Sequence, residues 1–152
     1  MYSNQELLGH GLLTALDEVR LAERIQSGRR AQDLLDATPP GAEALRSSLE
    51  ETASDGVDAW RELVLSNVRL VLVALKNWPR EVEHLEWDDL LQAGLLGVME
   101  AARRFDAGKH NRFSTYAMYW IRYALDRERE HESDVRIPIH ARRRRLEALT
   151  QI

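Results

Sequence analysis

Cysteine is absent from the 152 residues, which excludes disulfides and thiolate chemistry and fits a reducing compartment. Proline and glycine are scarce, at four and eight residues, too few for a sandwich or barrel with many turns. No apolar run approaches the ~18 residues that a membrane-spanning helix needs, so no membrane partner is expected. The opening MYSNQELLGH has no basic start followed by an apolar stretch, so no export signal is expected either. Phosphate-binding glycine loops, dinucleotide fingerprints and nucleophile elbows are missing. The five histidines, at positions 10, 84, 110, 131 and 140, show no metal-ligand spacing with one another or with acids. The expectation is a protein with no catalysis, no cofactor and no metal.

What is present suffices for a folded domain. The hydrophobic share of 44% and charged share of 30% suit a globular chain, read as one domain or one domain with a tail. The net charge of −4 divides unevenly. Residues 1–100 carry 9 Lys+Arg against 18 Asp+Glu, and residues 101–152 carry 12 against 7, so a polyanion would be drawn to the second part.

The periodicity is helical throughout. Thr14 followed by Asp17 and Glu18 reads as an N-cap with an acidic first turn, opening a helix through Leu16, Val19, Leu21, Ala22 and Ile25 that stops near Gly28. Thr38-Pro39-Pro40-Gly41 is the clearest break, and an acidic, weakly periodic stretch follows over 42–59. Residues 60–78 are apolar nearly all round, which predicts one central core helix in preference to a buried strand because the run is too long for a strand. Over 88–105, Leu90, Leu91, Leu95, Val98, Met99, Ala102 and Phe105 follow helical spacing, and Gly94 and Gly97 leave room for another backbone. A third strong helix begins near Ser114 as N-cap and runs to about Glu130, with Phe113, Ala117, Ile121, Ala124 and Leu125 facing inward. Ile137-Pro138-Ile139 breaks the chain again, before a short basic helix that begins with the four arginines 142–145. The fold class is all-α, a compact helical bundle. Leu70, Leu90, Leu95, Val98, Ala117 and Ile121 should be buried, whereas Tyr119 and Tyr123 should keep ring surface accessible.

The third helix carries the most suggestive chemistry. Tyr116 and Trp120 are four apart, as are Tyr119 and Tyr123, with Arg112, Arg122, Arg127 and Arg129 around them. Rings offer sequence-tolerant stacking worth about 1–3 kcal/mol per base, and arginines hold phosphates. Core packing accounts for the same rings on spacing alone, although the aliphatic stripe already supplies a buried face.

Five segments, in order, resemble the sigma-70 family of bacterial RNA polymerase sigma factors. They are Asn67-Val68-Arg69-Leu70-Val71, the run DLLQAGLLGVMEA from Asp89, Arg103-Arg104-Phe105-Asp106, the run RFSTYAMYWIR from Arg112, and Arg136-Ile137-Pro138-Ile139-His140. The resemblance implies a region 1.2-like helix over 1–28, a variable insert over 29–60, region 2 over 61–132 and the start of region 3 over 133–152. It implies binding of polymerase core, recognition of the promoter minus-10 element and melting of promoter DNA, in the cytoplasm at the nucleoid. The helix-turn-helix that reads the minus-35 element in the family is not among these residues.

Carried across by position, the resemblance implies that Asp89, Leu90, Gln92 and Met99 meet the clamp helices of the largest polymerase subunit. Ala93 stands where the family usually has an acid. Asn67 and Leu70 match positions holding a flipped base at the downstream end of the minus-10 element. Phe105, Asp106, Lys109, Arg112, Tyr116 and Trp120 match the region that captures the flipped adenine and the non-template strand, with Asn111 in place of a usual aromatic. Tyr119 replaces the first of two tandem tryptophans at the upstream fork. Tyr123 and Asp126 stand where Gln and Thr commonly face the upstream base pair, and Arg122 and Arg127 are expected at phosphates. An anti-sigma factor is a further partner class. The rival reading is a sigma-like decoy that occupies polymerase or an anti-sigma factor without opening DNA. A third, an independent helix-turn-helix repressor, lacks a short turn between two well-formed helices.

Overall fold

The chain begins its ordered helices at a capping box. In the computed structural model, which describes residues 11–78, 86–109 and 111–134, Thr14 Oγ1 accepts from the Asp17 N–H at 3.2 Å and Asp17 Oδ2 accepts from the Thr14 N–H at 2.9 Å. Helix α1, Ala15–Ala37, therefore starts where the sequence predicts but does not stop near Gly28. It passes through Gly28 because that residue serves a helix crossing. A Cβ there would lie 2.6 Å from the Gly56 Cα of helix α2, Glu43–Leu65, so the two backbones touch with no side chain between them. The acidic stretch 42–59 is thus part of a long helix, antiparallel to α1 across the Thr38-Pro39-Pro40-Gly41 turn, where Gly41 adopts a φ of 111°. Arg24 Nε donates to Asp55 Oδ2 at 2.9 Å across this hairpin.

The apolar run 60–78 is not one helix. It breaks at Ser66-Asn67-Val68 between α2 and the short α3, Arg69–Lys76. Asn67 Nδ2 donates to the Leu63 carbonyl at 2.8 Å, and the next bonds are of the tight i→i−3 kind, Leu70 N–H to Asn67 O and Val71 N–H to Val68 O. Helix α4, Trp87–Arg104, then a 3₁₀ turn, Ala107–Lys109, and helix α5, Phe113–Asp134, complete the described elements, none of which is a strand. No helix among the described residues is long and apolar enough to cross a membrane.

The core lies where α2, α3, α4 and α5 converge, filled by Leu63, Val71, Val98, Phe113, Ile121 and Leu125, all fully buried. Gly97 lets α4 approach α5 closely: a Cβ there would stand 2.8 Å from both Ile121 Cα and the Trp120 carbonyl. Gly94 instead meets the Val71 side chain. Trp60 Nε1 donates to the Met99 carbonyl at 3.2 Å and ties α2 to α4. Val98, Ala117 and Ile121 are buried as expected, whereas Leu70, Leu90 and Leu95 are only half-buried at the margin of the core. The Ile137-Pro138-Ile139 break, the basic helix from Arg142 and the side chains of all five histidines lie outside the described residues.

Candidate nucleic-acid interface

Helix α5 starts two residues earlier than its sequence suggests, at Phe113. The Arg112 carbonyl accepts from the Thr115 and Tyr116 N–H groups, at 3.2 and 3.4 Å, so Ser114 lies inside the first turn and is not the cap. The Phe113 N–H donates to Glu18 Oε2 at 3.0 Å, so a carboxylate from the first turn of α1 caps α5. Glu18 is 4% exposed, and a buried carboxylate needs a paired charge. Arg112 supplies it: Nε donates to Oε2 at 3.1 Å and Nη2 to Oε1 at 3.0 Å, while Nη2 also reaches the Leu13 carbonyl at 3.3 Å. These hydrogen bonds first, and the Glu18 charge second, raise the Arg112 pKa above its ordinary value.

From that cap the rings run outward along α5. Phe105 meets Phe113 edge-on at 5.2 Å and Tyr116 at 5.9 Å, and Tyr116 meets Trp120 at 6.4 Å. Trp120 then stands between Tyr119 and Tyr123, edge-on to both at 5.9 and 6.0 Å. Tyr119 is 65% and Tyr123 47% exposed, as expected, while Tyr116 and Trp120 are half-buried. Phe105, which the resemblance matches to the adenine-capturing region, is 5% exposed, its ring beneath Tyr116 and packed into the core. The Arg104 guanidinium lies 5.1 Å over the Trp120 ring and is itself paired with Glu100. Arg103 and Arg104 together hold the Glu100 carboxyl below its ordinary pKa, chiefly through hydrogen bonds. Between α4 and α5 these groups border a groove of about 670 Å³ lined by Leu96, Gly97, Trp120, Tyr123 and Arg127.

The polar residues divide by what already holds them. Arg127 is exposed at the groove, Arg122 is exposed beside Ala74 and Asn77 at the α3 side of α5, and Lys109 is exposed on the turn before it. Asp106 Oδ1 accepts from the Gly108 N–H at 2.9 Å and so shapes the 3₁₀ turn. Asp126 pairs with Arg129 at 3.0 Å. Asn67 and Leu70, both half-buried, sit at the α2–α3 break and the start of α3. The basic character of the second part of the chain is smaller here than the whole count suggests. Residues 101–134 hold 7 Lys+Arg against 6 Asp+Glu, and the excess falls in 135–152, with 5 against 1.

On α4, Asp89 and Gln92 are exposed and Leu90 and Met99 half-buried. Leu96, which sequence reading passed over, is 62% exposed between Gln92 and Met99 at helical spacing. Ala93 is buried beside the groove, so the position where the resemblance expects an acid faces α5 here.

The Sigma-70 region 2 family model matches residues 63–133, from the end of α2 to the end of α5. A relative named RNA polymerase principal sigma factor HrdC, of Streptomyces coelicolor, is 42% identical over 134 residues, 85% of this chain. The chain belongs to the sigma-70 family. Principal sigma factors HrdD of Streptomyces griseus and of Streptomyces coelicolor are 37% and 36% identical over 132 and 131 residues. The chain spans 39% of the length of each of these relatives. The region 2 match takes in the α2–α3 break, α4 and the ring-bearing α5, whereas α1 with Glu18 precedes it.

Proposed function

We propose that the chain is the part of a sigma factor that binds RNA polymerase core, recognises the promoter minus-10 element and holds the melted non-template strand, with no catalysis of its own. Residues 1–28 act as region 1.2, 29–60 as a variable insert, 61–132 as region 2 and 133–152 as the start of region 3. Polymerase meets the α4 face of Asp89, Leu90, Gln92 and Met99, and Leu96 joins them as the apolar contact on the same stripe. Promoter DNA meets α5 and the elements before it. Tyr116, Tyr119, Trp120 and Tyr123 offer ring surface, Lys109, Arg122 and Arg127 offer charge, and Asn67 and Leu70 lie at the downstream end. The protein works in the bacterial cytoplasm, where an anti-sigma factor is a further partner for these faces.

The observation that carries this reading is the placement of Tyr119 and Tyr123 at the surface around Trp120. A helix whose inner stripe is already full has no packing reason to carry two large rings on its outside, and unstacked bases need a replacement π-surface. The test is binding of a fluorescent single-stranded minus-10 oligonucleotide by this chain, alone and with polymerase core. Trp120→Ala should retain core binding and lose about one to two decades of strand affinity, the worth of one stacking platform. Core binding with no measurable strand affinity in the unaltered chain would favour the decoy.

A further inference from the structure

Glu18 and Arg112 are 94 residues apart, yet their contact joins the first turn of α1 to the residue just before α5. The carboxylate does two things there. It satisfies the Phe113 N–H, a donor that the helix itself leaves unpaired, and it accepts from Nε and Nη2 of Arg112. The next residues along α5 begin the ring series with Phe113 and Tyr116, and the 3₁₀ turn Ala107–Lys109 lies against α1. The polar contacts that set where α5 begins therefore reach it from α1, outside the region 2 match.

We propose that Glu18 is a positioning residue for the promoter-strand site, and that Arg112 acts as the strut between them and not as a phosphate contact. This rests on the sigma reading above. A carboxylate that caps α5 fixes the start of the helix, and with it the angle at which Tyr116 and Trp120 present their faces. Arg112 has two of its nitrogens engaged by Glu18 and one of those also by the Leu13 carbonyl. Turning it to a phosphate would strip a buried carboxylate of its partner, which the interior penalises heavily. A bidentate guanidinium fork is also something that a lysine does not reproduce.

The experiment uses the full chain with polymerase core, and reads affinity for the minus-10 single strand, its salt dependence, and its preference over the same strand with adenines replaced. Glu18→Gln keeps an acceptor for the Phe113 N–H and removes the charge. Arg112→Lys keeps the charge and removes the fork. Each should weaken strand binding by about tenfold to a hundredfold, the worth of the charge-assisted hydrogen bonds that each disturbs. Each should also lower the adenine preference, at a temperature where circular dichroism finds both folded. Arg112→Met should resemble Arg112→Lys and leave the salt slope as it was. If Arg112→Lys binds like the unaltered chain while Arg112→Met flattens the slope by about 0.7, one single-strand phosphate, then Arg112 touches DNA and the proposal fails. If Glu18→Gln lowers the melting midpoint but leaves affinity and preference unchanged, Glu18 only holds the fold together. Loss of strand binding in the unaltered chain, by contrast, counts against the sigma reading itself.

Discussion

Tyr123 and Asp126 face the groove side and the outer turn of α5, at the positions where related sigma factors commonly carry Gln and Thr. Glutamine both donates and accepts and so engages adenine bidentately, whereas aspartate only accepts. Here Asp126 is already paired with Arg129, which leaves it less free to accept a hydrogen bond from a base, and the half-exposed Tyr123 ring supplies area and a single hydroxyl. The expected outcome is relaxed discrimination at the upstream minus-10 base pair, with cytosine tolerated. Replacing the pair, Tyr123→Gln with Asp126→Thr, and randomising that base pair in a transcription assay should restore a preference worth about 1–3 kcal/mol. An identical preference before and after the swap would show that neither residue reads it. At this scale the sequence was legible where a residue's neighbours in the chain decide its fate. Thr14 and Asp17 cap α1 as their spacing predicts, because both partners lie within one turn. Phe105 ends the apolar stripe of 88–105 by its spacing, and its ring packs edge-on against Phe113 in the core.

Among the elements, glycine explains both a success and a miss. Gly94 and Gly97 mark a face that another element approaches, and Gly97 does admit the α5 backbone. Gly28 looked like a helix stop, but the same lack of a side chain permits a helix crossing, and the partner Gly56 is invisible from local pattern. The α2–α3 break escaped notice because the apolar run continues through it, although Asn67, whose side chain bonds to the Leu63 carbonyl, lies at its centre. Glu18 and Arg112 were each noted for local reasons, but nothing local joins them. Gly97→Ala is the sharpest test of this packing. Its Cβ would meet backbone, which cannot swing aside, so α4 and α5 must part. A loss of about 1–3 kcal/mol in urea unfolding is expected, with strand binding weakened because Trp120 rides on the displaced turn. Unchanged stability would mean that the two helices are less closely seated than described.

Among the described residues, three carboxylates that are not buried are held below their ordinary pKa: Asp17 by hydrogen bonds from Thr14, Asp55 by Arg24, and Glu100 by Arg103 and Arg104. A carboxyl depressed on folding lends stability that is complete above its unfolded value, 3.8 for Asp and 4.5 for Glu, and lost as pH falls through the folded one. The triple variant Asp17→Asn, Asp55→Asn, Glu100→Gln should therefore melt lower at pH 7. It should also lose less between pH 5 and about pH 3 than the unaltered chain, as circular dichroism melts would record. Parallel losses in the two proteins would assign acid sensitivity to other groups. The Gly28–Gly56 crossing has a consequence for how such a molecule can change over generations. It divides the α1–α2 hairpin into two arms about a fulcrum, with Glu18 on one side and the Thr38-Pro39-Pro40-Gly41 tip on the other. Helical faces come back into phase after about seven residues, so the tip arm can grow or shrink by two turns per strand without rotating the crossing. The hairpin is free to vary in size on its outer arm, where a lineage can acquire new surface, while the inner arm keeps its grip on the helix that meets the promoter.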